Sequence, residues 1–433
     1  MWQTILNSFR DKDIRKRIFL TLGILFLFRI GSFIPLPGLD YTYVEQAMGS
    51  NKIFELMSMM SGGALQYGTL FALGILPFIN SFIIMQLLTL IIPALERLSK
   101  QGDDGREKIT NITRYIAIAL AIVQSIGIIV TYHNAGAIQK TFGSEAVTAI
   151  MLILMLTAGS TFVMWLGERI TEYGIGNGTS MIIFVGIISG LGTGLINAFS
   201  TVGDQPNNLW NIFGYILLVL ALFVLIVFVD GSERKIKVNY AKQVKGNKMY
   251  GGQSTFIPIK VNSSGVMPII FASSFMMFPQ MIVTFLDQSN GFVQFYYNYL
   301  YPGNNWVGWL VYYVVMFVLI IFFAYFYAQI QFNPQDVARN LQQYGGTIQG
   351  VRPGKATSDF LGKINNRITL FGALFLSFIA IIPALLFNLV GQNIGLANAF
   401  SATGMLIVVS VALELDKQLE SQIMMKHYKG FLK

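Results

Sequence analysis

The sequence predicts an all-α polytopic membrane protein, and three observations carry that prediction. Hydrophobic residues make up 54% of the 433 positions and charged residues only 12%, where a soluble domain has about 25% charged residues. Apolar windows of roughly 20 residues, each able to cross a hydrocarbon core of about 30 Å, recur ten times. Lysine and arginine collect in alternate connections between those windows.

The ten predicted spans are 18–36, 70–95, 115–131, 146–166, 179–198, 209–229, 266–286, 307–328, 368–389 and 394–413. The first follows the basic run Arg10, Lys12, Arg15, Lys16 and Arg17, but it lacks a small-residue cleavage site and is too long for a signal-peptide core, so it stays as a span. The second is broken. It opens on Gly62-Gly63, is interrupted from Gly74 to Pro77, and then runs apolar to Pro93. In hydrocarbon an unpaired backbone amide costs several kcal/mol, so such a segment is tolerated only where it packs in protein or lines an aqueous cavity. The break therefore points to a pathway.

The same pattern returns later: Gly74-Ile75-Leu76-Pro77-Phe78-Ile79 is echoed by Gly265-Val266-Met267-Pro268-Ile269-Ile270. Interrupted segments at corresponding positions of two halves point to the working site of a membrane transporter. This predicts an N-terminal half, 1–200, and a C-terminal half, 201–433, each with five spans.

Of the 30 lysines and arginines, 27 fall on one side of the membrane so drawn: five in the amino terminus, five in 96–114, Arg169, seven in 230–265, five in 329–367 and four in the tail. Lys52 and Lys140 lie on the other side and Arg29 lies within the first span. The positive-inside rule makes the basic side cytoplasmic, with both termini there. The segments 230–265 and 329–367 are longer than connections need and contain strand-like or turn-like polar sequence, which reads as docking surface for a partner with an acidic or ribonucleoprotein face.

Several chemistries are excluded. Cysteine is absent and the two histidines, His133 and His427, lie in loops on opposite sides, so disulfides, thiol catalysis and a shared metal site are not expected. Gly354-Lys355 ends like a phosphate-binding loop, but the preceding glycine is missing and Ala356 follows the lysine. No catalytic residue, metal or cofactor is expected. An ion-coupled secondary transporter with inverted repeats is the alternative, but it needs buried acids as relays, and Arg29 is the sole charge in the spans. That arginine is expected to snorkel or to cap backbone carbonyls of neighbouring helices.

Eight stretches carry a family resemblance: FRIGSFIPLPGLD (28–40), SGGALQYGTLFALGILPFI (61–79), PALERL (93–98), WLGERITEYGIGNGTSMIIF (165–184), KMYGGQSTFIPIKVNSSGVMPIIFASS (248–274), FNPQDVARNL (332–341), GVRPGKAT (350–357) and ESQIMMKHYKGFLK (420–433). In order and over essentially the whole chain, they resemble the SecY family, channel subunits of the bacterial protein-translocation complex. The resemblance implies ten helices in two inverted five-helix halves around an hourglass-shaped aqueous path.

It also implies particular sites. A plug at about 54–66 would include Phe54, Met57, Met60, Gly62, Gly63 and Leu65, and a constriction ring would comprise Ile75, Ile79, Ile183, Ile187, Ile270 and Ile407. The spacing of Ile75/Ile79 and of Ile183/Ile187 puts each pair on one helical face. A lateral gate would involve Gln86, Gln124, Ser273, Ser274 and Phe278, and a docking surface Arg234, Lys235, Lys242, Lys248, Arg352 and Lys355. Implied partners are SecE and SecG subunits, the SecA motor ATPase, the ribosome, secretory and membrane-protein polypeptides and membrane lipid, in the bacterial plasma membrane. Gln66 and Tyr67, near the plug hinge, depart from the residues many members carry.

Overall fold

The computed structural model describes residues 9, 11–40, 43–44, 58, 61–200, 208–240, 242–245, 248–251, 254–286, 290–301, 306–390 and 402–431. A helix lies on each of the ten predicted spans. Helix α1 is Lys12–Gly31, started by the Asp11 carboxylate accepting from the backbone N–H groups of Asp13 and Ile14, which satisfies two of the first-turn donors. Helix α2, Leu76–Ile91, carries Pro77 in its first turn, where a missing N–H is harmless. Helix α3, Pro93–Ser99, leaves α2 at an angle of 105°. The predicted span 70–95 is thus shorter than expected at both ends, because residues 61–75 form successive turns and Pro93 cannot donate into the preceding helical turn.

Helices α4 (Asp103–Asn134), α5 (Glu145–Tyr173) and α6 (Gly178–Ser200) follow, then α7 (Asn208–Asp230). Strands β1 (Glu233–Tyr240), β2 (Lys242–Lys245), β3 (Lys248–Gly251) and β4 (Ser254–Lys260) precede α8 (Met267–Thr284). The chain continues through a short α9 (Gly291–Phe295), α10 (Trp306–Gln331), α11 (Pro334–Gln343), β5 (Gly346–Ile348), α12 (Lys355–Val390) and α13 (Ala402–Phe431). Several helices run past the apolar windows. Helix α4 starts at Asp103, inside the predicted basic loop, with Asp103 and Asp104 in its first turn, where acidic groups favour the helix dipole.

Among the described residues, four helical stretches are by themselves long and apolar enough to cross a membrane: Asp103–Asn134, Glu145–Tyr173, Trp306–Gln343 and Lys355–Ile382. The bent α2–α3 pair makes a fifth, and Gly178–Gly190 and Ile216–Asp230 are shorter apolar helices. Phe19, Leu22, Phe26 and Leu27 of α1 stand exposed, as a surface that meets lipid requires.

The chain divides into two compact units. The first comprises Met1–Tyr215, Ser274–Tyr312 and Val390–Lys433. Its core joins Leu36, Leu39, Leu65, Leu73, Leu76, Ile128, Tyr132, Leu152 and Leu156. Between the body of α4 and the C-terminal part of α5, Arg114 Nε donates to Glu168 Oε1 over 2.6 Å, so the mostly buried carboxylate has its charge answered.

The second unit comprises Ile216–Ser273 and Tyr313–Leu389. Here the two long polar segments, expected as separate loops, are one folded body. Strand β1 pairs antiparallel with β4 along its length and, at Val238–Tyr240, with β5 from the other segment. Alternation explains the sheet: Ile236 and Val238 point inward while Lys235 and Lys237 stay exposed. Ile236, Val238, Ile259, Leu341, Ile348 and Leu361 form its core, so α11 and the start of α12 cover one sheet face. The all-helical expectation therefore holds for the spans and gives way to a small sheet in this polar body. Leu361→Ala should cost the body about 2–5 kcal/mol, since that side chain is fully buried. Limited proteolysis should then nick 230–265 and 329–367 faster while the spans stay protected; unchanged nicking would contradict this core.

An interrupted helix among buried isoleucines

Residues 61–75 hold the most unusual backbone in the first unit. Gly62, Gly63, Gly68 and Gly74 all take positive φ, from 55° to 88°, and Ser61, Ala64, Leu65, Phe71, Ala72 and Leu73 are buried. A buried segment without a regular ladder must find partners for its carbonyls one by one. It does so through side chains from three helices and from itself. Arg29 Nη1 of α1 donates to Gly62 O at 2.7 Å. Tyr132 of α4 donates its hydroxyl to Leu65 O at 3.1 Å, and Ser160 of α5 donates to Gly74 O at 3.1 Å. Thr69 Oγ1 donates to Ala64 O at 3.1 Å. The backbone bonds Leu70 N to Ile34 O and Leu36 N to Gly68 O tie the segment to the end of α1.

Gly62 is required twice over. Its φ of 70° disfavours a side chain, and an added Cβ would lie 3.1 Å from Gly186 Cα of α6 and 3.0 Å from Arg29 Nη1. Gly62 therefore rests on α6 beside Ile187. Gly74 closes the segment against Ser61, whose Cβ is 3.3 Å from where a Gly74 side chain would begin.

The isoleucines named from the sequence are all buried: Ile75, Ile79, Ile183, Ile187 and Ile407 in the first unit and Ile270 in the second, none more than 5% exposed. Helix packing brings several of their neighbourhoods together. A Cβ on Gly167 of α5 would meet the terminal methyls of Ile75 and Ile182, and one on Gly404 of α13 would sit 3.0 Å from Ile187. Small residues thus let α5, α6 and α13 approach around these isoleucines, as helix packing in membranes demands.

Of the plug residues, Gly62, Gly63 and Leu65 lie in the buried segment, while Phe54, Met57 and Met60 fall outside the described residues. Among the gate residues, Gln124 and Ser274 are buried, and Gln86, Ser273 and Phe278 are partly so. The side-chain oxygens of Gln86 and Gln124 accept no hydrogen bond, which leaves both able to take one up. Arg234 and Lys235 stand exposed on β1, Arg352 on the turn before α12 and Lys355 at its first residue. Lys242 and Lys248 are backbone positions of the β2–β3 hairpin. Sequence reasoning missed Tyr132, Ser160, Gly186 and Gly404. Only their polarity or small size amid apolar helix marked them.

A bent, glycine-broken membrane helix, with its irregular arm buried beside apolar side chains, defines a polytopic helical membrane protein of the conduit type. Comparisons with known proteins make this specific. A model of the SecY family matches residues 69–415. A protein translocase subunit SecY from Streptomyces galbus is 42% identical, covering 99% of each chain. One from Mycobacterium tuberculosis is 40% identical over the whole of both. The fold is similar to that of a protein-conducting channel, with a TM-score of 0.68 at 20% identity over 94% of this chain and 91% of that one. It is also similar to a SecY structure described for a plug domain that stabilises the closed state, with a TM-score of 0.66 at 21% identity over 94% and 91%. The chain belongs to the SecY family.

Gly62→Ala should weaken the seat of this segment by about 1–2 kcal/mol, the cost of a side chain in the left-handed region. Amide hydrogen exchange across 61–68 would then quicken roughly 5–30-fold. Unaltered exchange there would show that the hinge does not depend on glycine.

Proposed function

We propose that the protein is a protein-conducting channel that passes unfolded polypeptides across the bacterial plasma membrane and releases apolar segments sideways into lipid. The observation that carries the reading is the buried, non-helical arm 61–75 seated beside isoleucines at the break of α2, in a chain similar over its full length to translocase SecY subunits. Ile75, Ile79, Ile183, Ile187 and Ile407 of the first unit are the residues proposed for the constriction, and Ile270 is assigned to it by the family resemblance alone. Apolar side chains resist water and ions by dewetting, and branched aliphatics part around an extended chain without selecting its sequence.

The plug at about 54–66 fills the path at rest, hinging at Gly62 and Gly63. Ten helices make two inverted halves, 1–200 and 201–433, and the gate lies at the paired wall helices with Gln86, Gln124, Ser273, Ser274 and Phe278. Substituting these gate glutamines and serines with Leu would shift the closed–open balance by about 0.5–2 kcal/mol.

The basic side, with both termini, is cytoplasmic. On it the sheet body presents Arg234, Lys235, Arg352 and Lys355. Energy comes from outside the chain, through docking of a SecA-type motor or a translating ribosome on this surface, with SecE and SecG subunits completing the complex. Solved neighbours of similar fold include a canine ribosome–channel complex from the endoplasmic reticulum. Arg352 lies in an exposed turn whose carbonyl is held by Thr357 Oγ1 at 2.8 Å, so its fork is free to meet a carboxylate or phosphate.

In planar bilayers the wild-type complex should be tight, while deletion of 54–66, or Ile79→Asn with Ile270→Asn, should leak ions; equally tight variants would refute the conduit. Arg352→Glu should abolish motor-driven transport in vesicles without impairing assembly, and normal transport would refute the docking role.

A further inference from the structure

We infer that Arg29 is a latch that holds the plug's hinge in its closed seat, a positioning role that rests on the channel reading above. Arg29 is the sole charge in the predicted spans, and its guanidinium does two things at once. Nη1 donates to the carbonyl of Gly62 at 2.7 Å, and the guanidinium carbon lies 4.5 Å from the centre of the Phe33 ring. The two partners differ in mobility. Phe33 belongs to the same chain segment as Arg29, just beyond α1, whereas Gly62 belongs to the arm that must leave when the path opens. When Gly62 departs, the ring still faces the charge, so the cation keeps a favourable contact rather than being stranded in a medium where an unanswered charge is costly.

The contacts along the arm can be sorted by whether opening breaks them. Ser160 holds Gly74 O at the start of α2, beyond the plug, and stays. Arg29 at Gly62 and Tyr132 at Leu65 hold the plug and must release. Of these two, only the arginine bond has a charged donor, and charge-assisted bonds are roughly twice as strong as neutral ones. Gly62 is also closely seated, between Arg29 Nη1 and Gly186 Cα. Releasing this bond is therefore the larger of the two steps that free the hinge beside Ile187.

The chain has no cysteine, which allows a clean test in the complete complex reconstituted in vesicles. Leu65→Cys and Leu152→Cys each place a thiol at a fully buried position of the same core, the first on the plug and the second away from it. Both are probed with a membrane-impermeant maleimide from the external side in four backgrounds: Arg29, Arg29→Lys, Arg29→Gln and Arg29→Met. Loss of a charged hydrogen bond should speed labelling at position 65 about tenfold or more in the methionine background. Lysine and glutamine should fall between, and position 152 should stay unreactive throughout. Equal labelling at 65 in all backgrounds would overturn the latch. Parallel gains at 65 and 152 would also overturn it, showing a merely structural arginine. If the methionine variant fails to assemble, the glutamine variant decides by the same two readouts. The channel reading fails separately, if deletion of 54–66 leaves bilayers tight; leak on deletion with unchanged labelling removes only the latch.

Discussion

Every backbone carbonyl out of reach of water has to be answered by protein, and the rest of this structure follows from how residues 61–75 meet that demand. A helix would answer it internally. This arm, with four glycines at positive φ, does so only in part, through turn bonds such as Tyr67 N to Gly63 O and Thr69 N to Ala64 O, and side chains of Arg29, Tyr132, Ser160 and Thr69 hold further carbonyl contacts. On the channel reading, such external satisfaction is what lets the arm leave its seat. Hydrogen bonds within a helix are lost only by unfolding it, whereas bonds to neighbouring side chains can be exchanged for bonds to water or to a passing chain.

The same demand shapes the surroundings. For Arg29 and Ser160 to reach backbone, the helices must come close, and glycines stand where they do: Gly159 against Leu70 O, Gly178 against Gly167 O, Gly186 against Gly62. Ile75 and Ile182 both pack at Gly167, and Ile187 packs at Gly404. Irregular backbone, small residues and buried isoleucines are thus three sides of one packing solution. The polar body of the second unit answers to different physics, being an ordinary amphipathic sheet with inward Ile236 and Val238 and exposed basic residues on its central strand.

Much of this was legible in the sequence where the signal is local. Gly62, Gly63, Gly74 and Pro77 announce the break, Pro93 the bend, and the lone Arg29 its role as a carbonyl cap. What the sequence hides is long-range pairing. Tyr132 and Leu65 are 67 residues apart and Ser160 and Gly74 are 86 apart, with nothing in either neighbourhood to announce the other. The joining of the two polar segments through β1 and β5 is hidden likewise, because Gly346–Ile348 is too short to show an alternation. Helix ends misled because α4 and α12 continue into polar sequence, where a helix already nucleated extends at little cost.

The most direct test of the central claim, that polypeptide passes between the buried isoleucines, is site-specific photocrosslinking to a translocation-arrested chain. A photoreactive amino acid placed at Ile79, Ile183, Ile187 or Ile407 should crosslink the arrested substrate efficiently. One at exposed Phe26 or Val224 should crosslink lipid and not substrate. Substrate adducts at the exposed positions with none at the isoleucines would place the path elsewhere and contradict the account.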